Sequence, residues 1–373
     1  MIHKLNRPII VFTIATVLSI LGIVLYFKTN NNRGFLVAAN IPITGYFATY
    51  GDAIKKGVLM YQAEHPEIAD TIKWDWQDNI GDAQRAVSIM QSQLINNPDI
   101  YLSGVKPQTM AINSAINGIG LPHFVWIFDP FINKSAVKNN IRMWVSYKLE
   151  PPVFVKYAKG LNPKKVFIVY VQLPHTVEEF EQLVKPRLNH ELGDFAEIRT
   201  EVYDYGKRDF KDIVLKCKGF SPDLIIVSGF QAELANMVRE FLNHGLMTER
   251  NFIATYDMLD AAELLSVQEL EKVHFVAPEF VLSTGNVVVE EWKERFRKRF
   301  GKAPLYTHAY AYDMAQMLYD IAIKCKPVDS AEWLKEIKAY KGQGITGSLR
   351  FDSDMDLLTP IDVGRFDKGV PTK

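Results

Sequence analysis

Short apolar runs alternate with longer amphipathic stretches along the chain after Gly34. The run Phe35–Ile41 is almost continuously apolar, which is typical of a strand buried on both faces, and Ile72–Gln77 alternates apolar with polar residues. Ala83–Leu94 repeats its apolar residues at helical spacing and predicts an amphipathic helix. Strand and helix alternate in this way as far as Phe128, which predicts a parallel sheet covered by helices on both faces.

A second series of the same kind begins near Pro151, with predicted strands at Val166–Val171, Glu197–Val202 and Leu224–Ser228. Each series is roughly 115 to 130 residues long, which is the size of an ordinary domain. The pattern therefore predicts an α/β protein with two doubly wound parallel-sheet lobes. Ligands of such sheets bind outside the carboxyl ends of the strands, so the expected site is a cleft between the lobes.

The N-terminus carries an apolar segment, Pro8–Phe27, which has no charged residue and follows the basic residues Lys4 and Arg7. About twenty such residues are enough to cross the hydrocarbon core of a membrane. The segment does not end in the small residues typical of a cleaved signal peptide, and no cysteine follows it as in a lipoprotein. We therefore predict an uncleaved transmembrane signal anchor, with the body of the chain facing the periplasm or cell exterior.

Charge and cysteine content exclude several classes of protein. Lysine plus arginine and aspartate plus glutamate number 43 each, so the net charge is zero and no nucleic-acid partner is expected. The two cysteines, Cys217 and Cys325, are too few for a thiolate metal cage, and whether they pair is left open. The motifs of nucleophile elbows, phosphate-binding loops and zinc proteases are absent from the sequence, so neither an enzyme nor a cofactor is predicted.

Several segments resemble one known family. Ile41–Gly57 reads IPITGYFATYGDAIKKG, a block from Trp74 reads WDWQDNIGDAQRAVSIMQ, and Ile345–Asp352 reads ITGSLRFD. In this order and spacing they resemble the type I periplasmic binding proteins, especially the leucine/isoleucine/valine-binding receptors of branched-chain amino acid ABC transporters. The resemblance implies hinge closure on a small-molecule ligand and its delivery to an ABC-type permease.

The resemblance also implies a three-crossover hinge between the lobes, with crossovers near Glu150, Phe280 and Thr359. The chain is thus expected to divide into a cytoplasmic tail, anchor and linker, a first lobe and a second lobe. Their limits are 1–34 for the anchor region, 35–149 plus 281–358 for lobe 1, and 150–280 plus 359–373 for lobe 2. An alternative function is a ligand-sensing ectodomain of the same fold that acts on a membrane-bound signalling partner. A scaffold that binds no ligand is a further alternative.

The residues expected to bind the ligand follow predicted strand ends in both lobes. They are Tyr46, Tyr50, Pro107, Gln108, Thr109, Trp126, Phe128, Asp129, His175, Phe230, Tyr256 and Asp257. The two tyrosines of the first loop combine an apolar face with a hydroxyl tip. Packing on the surface of that loop is the alternative interpretation for both of them.

The second loop departs from the pattern of the family's amino-acid receptors, which hold the ligand carboxylate with serine and other hydroxyl groups. Pro107 and Gln108 stand in their place, and Asp129 would repel a carboxylate unless Lys106 turned inward. An ordinary amino acid is therefore a doubtful ligand, although one bound in a rearranged way remains open.

A cationic or amide-rich ligand is the hypothesis that the altered loops favour. Asp257 could hold a cation by a charge-assisted hydrogen bond, and aromatic faces such as Trp126 attract cations. The hypothesis requires Trp126, Asp129 and Asp257 to converge. In the alternative interpretation, Trp126 packs into the lobe and Asp129 caps a helix.

Overall fold

The computed structural model describes residues 34–127, 139–193, 196–248, 250–282 and 285–373. The predicted anchor, Pro8–Phe27, and two predicted site residues, Phe128 and Asp129, lie outside these ranges, so their roles stay predictions. Across the described ranges, no helix combines the length and apolar character required to span a membrane.

The first sheet has five parallel strands, as the apolar pattern predicted. They are β1 (Phe35–Ile41), β2 (Ile72–Asp78), β3 (Ile100–Gly104), β4 (His123–Trp126) and β5 (Asn140–Arg142). Their spatial order is β2-β1-β3-β4-β5. Val37 of β1 is paired with Trp74 of β2 on one side and with Ile100 of β3 on the other, so β1 lies inside the sheet. Its buried position explains why its sequence is almost continuously apolar.

Helices connect the strands of the first sheet. They are α1 (Ala48–Glu64), α2 (Ala83–Leu94) and α3 (Lys106–Gly118). The bounds of α2 agree with those predicted from its apolar spacing. It begins after Asp82, whose side chain accepts a hydrogen bond from the amide of Arg85 and so caps the helix.

The second sheet contains five parallel strands and an antiparallel edge. The remaining strands of the chain are β6 (Lys165–Val171), β7 (Glu197–Tyr203), β8 (Leu224–Val227), β9 (Phe252–Ala254), β10 (His274–Pro278), β11 (Gly342–Gly344), β12 (Gly347–Leu349), β13 (Ile361–Asp367) and β14 (Val370–Thr372). The second sheet has the order β14-β13-β10-β9-β8-β6-β7, while β11 and β12 form a separate hairpin. β13 runs antiparallel to β10, and β14 antiparallel to β13.

The helices of the second sheet include an irregular one. They are α4 (Glu150–Leu161), α5 (Pro174–Val177), α6 (Lys185–Leu192), α7 (Lys211–Phe220), α8 (Gln231–Asn243), α9 (Met258–Ala261), α10 (Val267–Leu270) and α11 (Glu279–Leu282). Glu178–Val184 forms a π-helix that joins α5 to α6.

The chain returns from the second sheet to the first after β10. It then forms α12 (Val287–Phe300), α13 (Tyr306–Lys324) and α14 (Ser330–Ala339). Trp292 of α12 and Trp333 of α14 are completely buried in the core that also contains β1, whereas β8 and β9 belong to other cores. The chain then enters β13, so it passes between the two sheets more than once.

A buried ion pair lies where the connections between the two sheets meet. Arg142 Nε donates to Asp356 Oδ1 at 2.7 Å, and both side chains are almost completely excluded from solvent. The backbone amides of Arg142 and Leu357 donate to the carbonyls of Met355 and Arg142, respectively. The segment before β13 is thus bound to the end of β5, which holds two connections together.

Candidate functional site

A cleft of about 820 Å³ opens between the two sheets. Its described lining residues are Tyr46, Phe47, Thr49, Tyr50, Trp144, Tyr205, Phe230, Gln231, Tyr256, Asp257, Asp260, Glu263, Leu264, Leu305, Tyr306 and Thr307. Most of them follow the carboxyl ends of β1, β5, β7, β8 and β9. This is the position at which open parallel sheets place their ligands.

On the side of the first sheet, the cleft is lined by an aromatic wall made of Tyr50, Trp144 and Tyr306. The ring centroids of Tyr50 and Trp144 lie 5.8 Å apart, and those of Trp144 and Tyr306 lie 6.0 Å apart in a T-shaped arrangement. These spacings are typical of favourable ring contacts. The three side chains are half-buried and form one continuous surface.

On the side of the second sheet, the cleft is lined by an acidic wall made of Asp257, Asp260 and Glu263. Residues three apart on a helical turn share a face, so the short helical segment after β9 points its three carboxyl groups the same way. Burial and the neighbouring Asp260 raise the pKa of Asp257 to about 8. Burial and Glu263 likewise raise the pKa of Asp260 above its ordinary value.

The negative potential of the acidic wall extends across the cleft. Burial, followed by the charges of Asp260, Asp257 and Glu263, raises the pKa of Tyr50 to about 12. Tyr50 therefore keeps its hydroxyl proton at neutral pH and can donate a hydrogen bond into the cleft.

One hydrogen bond joins the two sides of the cleft. Trp144 Nε1 donates to the hydroxyl oxygen of Tyr256 at 3.0 Å. The backbone amide of Tyr256 in turn donates to Glu150 Oε1 at 2.8 Å. The loop after β9 is thereby tied both to the aromatic wall and to the start of α4.

Two buried glutamates lie behind the acidic wall. Glu150 of α4 and Glu179 of the π-helical segment are hydrogen-bonded to each other, and both are nearly inaccessible to solvent. Burial and the negative charge of Asp257 raise the pKa of Glu150 well above its ordinary range. Burial and Glu150 do the same for the pKa of Glu179. Adjacent carboxyl groups cannot both ionise without strong repulsion, and this repulsion adds to the effect of burial.

The first loop, after β1, is held by Asp78 at the end of β2. Its carboxylate accepts hydrogen bonds from the amides of Ile43, Thr44 and Ile80. Partial burial opposes ionisation, but these bonds and one from the Thr44 hydroxyl outweigh it and lower the pKa of Asp78. A Cβ at Gly51 would lie 2.0 Å from the carbonyl oxygen of Pro42, which explains the glycine.

Several residues predicted from the sequence line the cleft. They are Tyr46, Tyr50, Phe230, Tyr256 and Asp257. Tyr46 is 92% exposed and stands at the rim, where its ring meets that of Phe47. The other four lie deeper, and they come from both sides of the cleft.

The residues predicted after β3 do not line the cleft. Gln108 is 1% exposed and its Nε2 donates to the carbonyl of Gly81, while the hydroxyl of Thr109 lies 2.9 Å from that of Ser103. Pro107 is exposed in the first turn of α3 and is not among the lining residues. Gln108 and Thr109 are directed into the lobe, which corrects the expectation that they face a ligand.

Trp126 and His175 are also displaced from their predicted positions. Trp126 is the last residue of β4, is 3% exposed and packs in the core of the first sheet. Trp126 therefore does not line the cleft, and its packing agrees with the alternative interpretation. The convergence of Trp126, Asp129 and Asp257 stays a prediction, since Asp129 lies outside the described residues. His175 is buried behind Phe230, with ring centroids 6.3 Å apart.

Sequence reasoning missed much of both walls. Trp144 and Tyr306 complete the aromatic wall, and Asp260 and Glu263 complete the acidic wall. The spacing of the carboxylates from Asp257 to Glu263, one at every third residue, was a usable signal for a shared acidic face. Among the described residues, no group of histidine, cysteine, aspartate and glutamate side chains is arranged to hold a metal ion.

Comparison with known proteins gives consistent results. The model of the periplasmic binding protein family matches residues 36–369. A Leu/Ile/Val-binding protein homolog 2 of Brucella abortus (strain 2308) is 25% identical over 357 residues, which cover 91% of this chain and 92% of that protein.

Solved structures share the fold. A branched-chain amino acid ABC transporter periplasmic ligand-binding protein of Burkholderia xenovorans has a TM-score of 0.75 at 14% identity, covering 90% of this chain and 93% of that one. A branched-chain amino acid transporter substrate-binding protein of Streptococcus pneumoniae, in complex with isoleucine, has a TM-score of 0.70 at 17% identity. That match covers 91% of this chain and 98% of the other.

Proposed function

Because the chain belongs to the periplasmic binding protein family, a family of solute-binding receptors rather than enzymes, we propose that it is an extracytoplasmic receptor for a small polar solute. The solute is an amino acid, an amide or a cationic compound, and the receptor delivers it to an ABC-type importer. The observation that carries this proposal is the cleft of about 820 Å³ whose walls come from both sheets. A cleft of this size is in the usual range for small-molecule sites.

Closure of two lobes is the second part of the proposal. We place their limits at 35–149 plus 281–358 and at 150–280 plus 359–373. The largely separate cores of the two sheets support this division, as does the position of Arg142 and Asp356, which are paired where the connections meet. The bond from Trp144 to Tyr256 joins the two sides of the cleft and would change as the lobes move.

Attachment to the membrane is the third part. The apolar segment Pro8–Phe27 supports a transmembrane anchor on sequence grounds alone. The body would then face the periplasm or the cell exterior, close to an importer in the same membrane.

Ligand-induced stabilisation and closure test the receptor function. The full chain, purified in detergent, is unfolded thermally with a panel of amino acids, amides and organic cations. A ligand at a hundred times its dissociation constant should add about 2.7 kcal/mol to the free energy of unfolding.

Closure is measured between spin labels at Met110→Cys in α3 and Leu215→Cys in α7, both exposed. Cys325→Ser removes the exposed native thiol, while Cys217 is buried. The distance between the labels should change with any solute that stabilises the protein. Stabilisation by no solute, together with an unchanged distance, would contradict the receptor function.

A further inference from the structure

We infer that the solute bound in the cleft is an organic cation that carries no carboxylate group, an inference that rests on the receptor function proposed above. The acidic wall places three carboxyl groups, those of Asp257, Asp260 and Glu263, on one side of the cleft. Among the described residues that line the cleft, none is a lysine, an arginine or a histidine. The described part of the lining therefore carries acidic groups and no compensating basic side chain.

The electrostatics of the acidic wall agree with this inference. The charges that raise the pKa of Asp257 and that of Asp260, after burial itself, are negative ones from their neighbours. Carboxylates withdrawn from water without a cationic partner destabilise the protein. A bound cation would supply that partner and would be stabilised by several carboxylates at once.

Several groups near the first loop and α3 that could offset a ligand carboxylate form internal hydrogen bonds instead. Gln108 and Thr109 point into the lobe and form internal hydrogen bonds. At the start of α1, the amides of Ala48 and Tyr50 donate to the carbonyls of Gly45 and Phe47. A solute with a carboxylate would therefore add a further negative charge beside the acidic wall, which is unfavourable at close range.

The aromatic wall suits the same class of solute. Tyr50, Trp144 and Tyr306 face the acidic wall across the cleft. A cation over such rings gains about 0.5–2 kcal/mol from their quadrupoles, and an alkyl or aryl body gains contact area as well. An ammonium or guanidinium group attached to an apolar body would thus contact both walls together.

Matched pairs of compounds that differ only in a carboxylate test the inference on the full chain. The pairs are agmatine with arginine, phenethylamine with phenylalanine, and 3-methylbutylamine with leucine. Affinities are measured by calorimetry, and lobe closure by the spin-label distance described above. At least one amine should bind and close the protein, and should bind about tenfold or more tightly than its amino acid.

Two results would overturn the inference: an amino acid that binds as tightly as its amine, or binding by none of the three amines. The receptor function is judged separately, because closure on any other solute of the wider panel would leave it standing. A variant then assigns the effect to the acidic wall. Asp260→Asn combined with Glu263→Gln should weaken amine binding about tenfold or more, without lowering the thermal midpoint of the unliganded protein.

The matched control for this variant is Glu271→Gln, which changes an exposed carboxylate of the same lobe outside the cleft. Its affinity for the amines should equal that of the unmodified protein. If the control and the double variant lost amine affinity equally, or if neither lost any, the role assigned to Asp260 and Glu263 would be contradicted.

Discussion

The two walls of the cleft differ in chemistry although both follow the carboxyl ends of parallel strands. The aromatic wall is neutral and is assembled from three distant segments around Tyr50, Trp144 and Tyr306. The acidic wall comes from one short helical segment that begins at Asp257. A wall assembled from several segments supplies area and shape, whereas a single helical turn supplies charge at high density. The comparison suggests that the aromatic wall sets binding strength and that the acidic wall selects the charge of the solute.

The largest effect on ligand affinity is expected from Trp144→Ala. The change removes a ring that contacts both Tyr50 and Tyr306, and it removes the hydrogen bond to Tyr256. We expect agmatine affinity to fall roughly thirtyfold, or about 2 kcal/mol, which is typical of a central aromatic contact. Trp144→Phe keeps a ring, so it should lower agmatine affinity only a few-fold. Calorimetry on both variants measures the difference.

Trp76→Ala is the matched control for this prediction. Trp76 lies on the edge strand β2, stacked on Trp74 with centroids 5.0 Å apart, and it is not among the residues that line the cleft. Its variant should bind agmatine normally. If Trp144→Ala also bound normally, the aromatic wall would have no part in binding strength.

Asp257→Asn should change the pH dependence of stability. The pKa of Asp257 is about 8 in the folded protein against an ordinary value of 3.8. The folded state therefore holds a proton that the unfolded state has lost between these values, and stability falls as pH rises through this window. The variant has no carboxyl group at this position, so its stability does not fall for this reason. Its free energy of unfolding relative to the unmodified protein should be higher at pH 8 than at pH 4 by on the order of 5 kcal/mol.

Denaturant titrations of both proteins at pH 4, 6 and 8 measure this difference. Asp313 also has a raised pKa and affects both proteins in the same way. The charge of Asp257 helps to raise the pKa values of Glu150 and Glu179, so the difference reports Asp257 together with its interaction with these two glutamates. A difference that stayed constant with pH would show that Asp257 is not held protonated.

The fold could be predicted largely because parallel strands are buried on both faces and leave continuous apolar runs. β1 and α2 were predicted with their observed bounds for this reason. β5 was missed because it is only three residues long. α14 was missed although Asp329 caps it by accepting from the amide of Glu332, a signal that local sequence did contain.

The site was harder to predict because side-chain direction changes at the end of a strand. Trp126 still pairs with Gly104 inside the first sheet, so its ring is committed to the core. Trp144 lies just beyond the end of β5 and is free of that constraint, so its ring reaches the cleft. Sequence analysis placed Trp126 near a strand end, but it missed β5 and therefore could not place Trp144.

Agmatine affinity should increase with pH if the acidic wall selects cations. The titratable groups that face Asp257 are Glu150, Glu179, Asp260, Glu263, Tyr50, Tyr203, Tyr256 and Tyr306. Below pH 8 a cation must displace the proton of Asp257, and above it the carboxylate is already formed. Affinity should therefore rise about tenfold between pH 6.5 and 8.5 and then level.

Calorimetry in buffers of different ionisation enthalpy would also count the released proton. Asp257→Asn should make agmatine affinity nearly independent of pH. A flat or falling profile in the unmodified protein would show that charge selection does not depend on Asp257.

The smallest effect is expected from the hydroxyl groups of the aromatic wall. Tyr50→Phe keeps the ring against Trp144 and removes a hydroxyl whose proton the acidic wall holds in place. If the wall supplies area rather than polar contacts, agmatine affinity should fall about two- to threefold, well under 1 kcal/mol. Tyr46→Phe, at the exposed rim, should cause no measurable loss. A tenfold loss from Tyr50→Phe would instead give the aromatic wall a specific polar role, and the division of the cleft into one wall for area and one for charge would no longer hold.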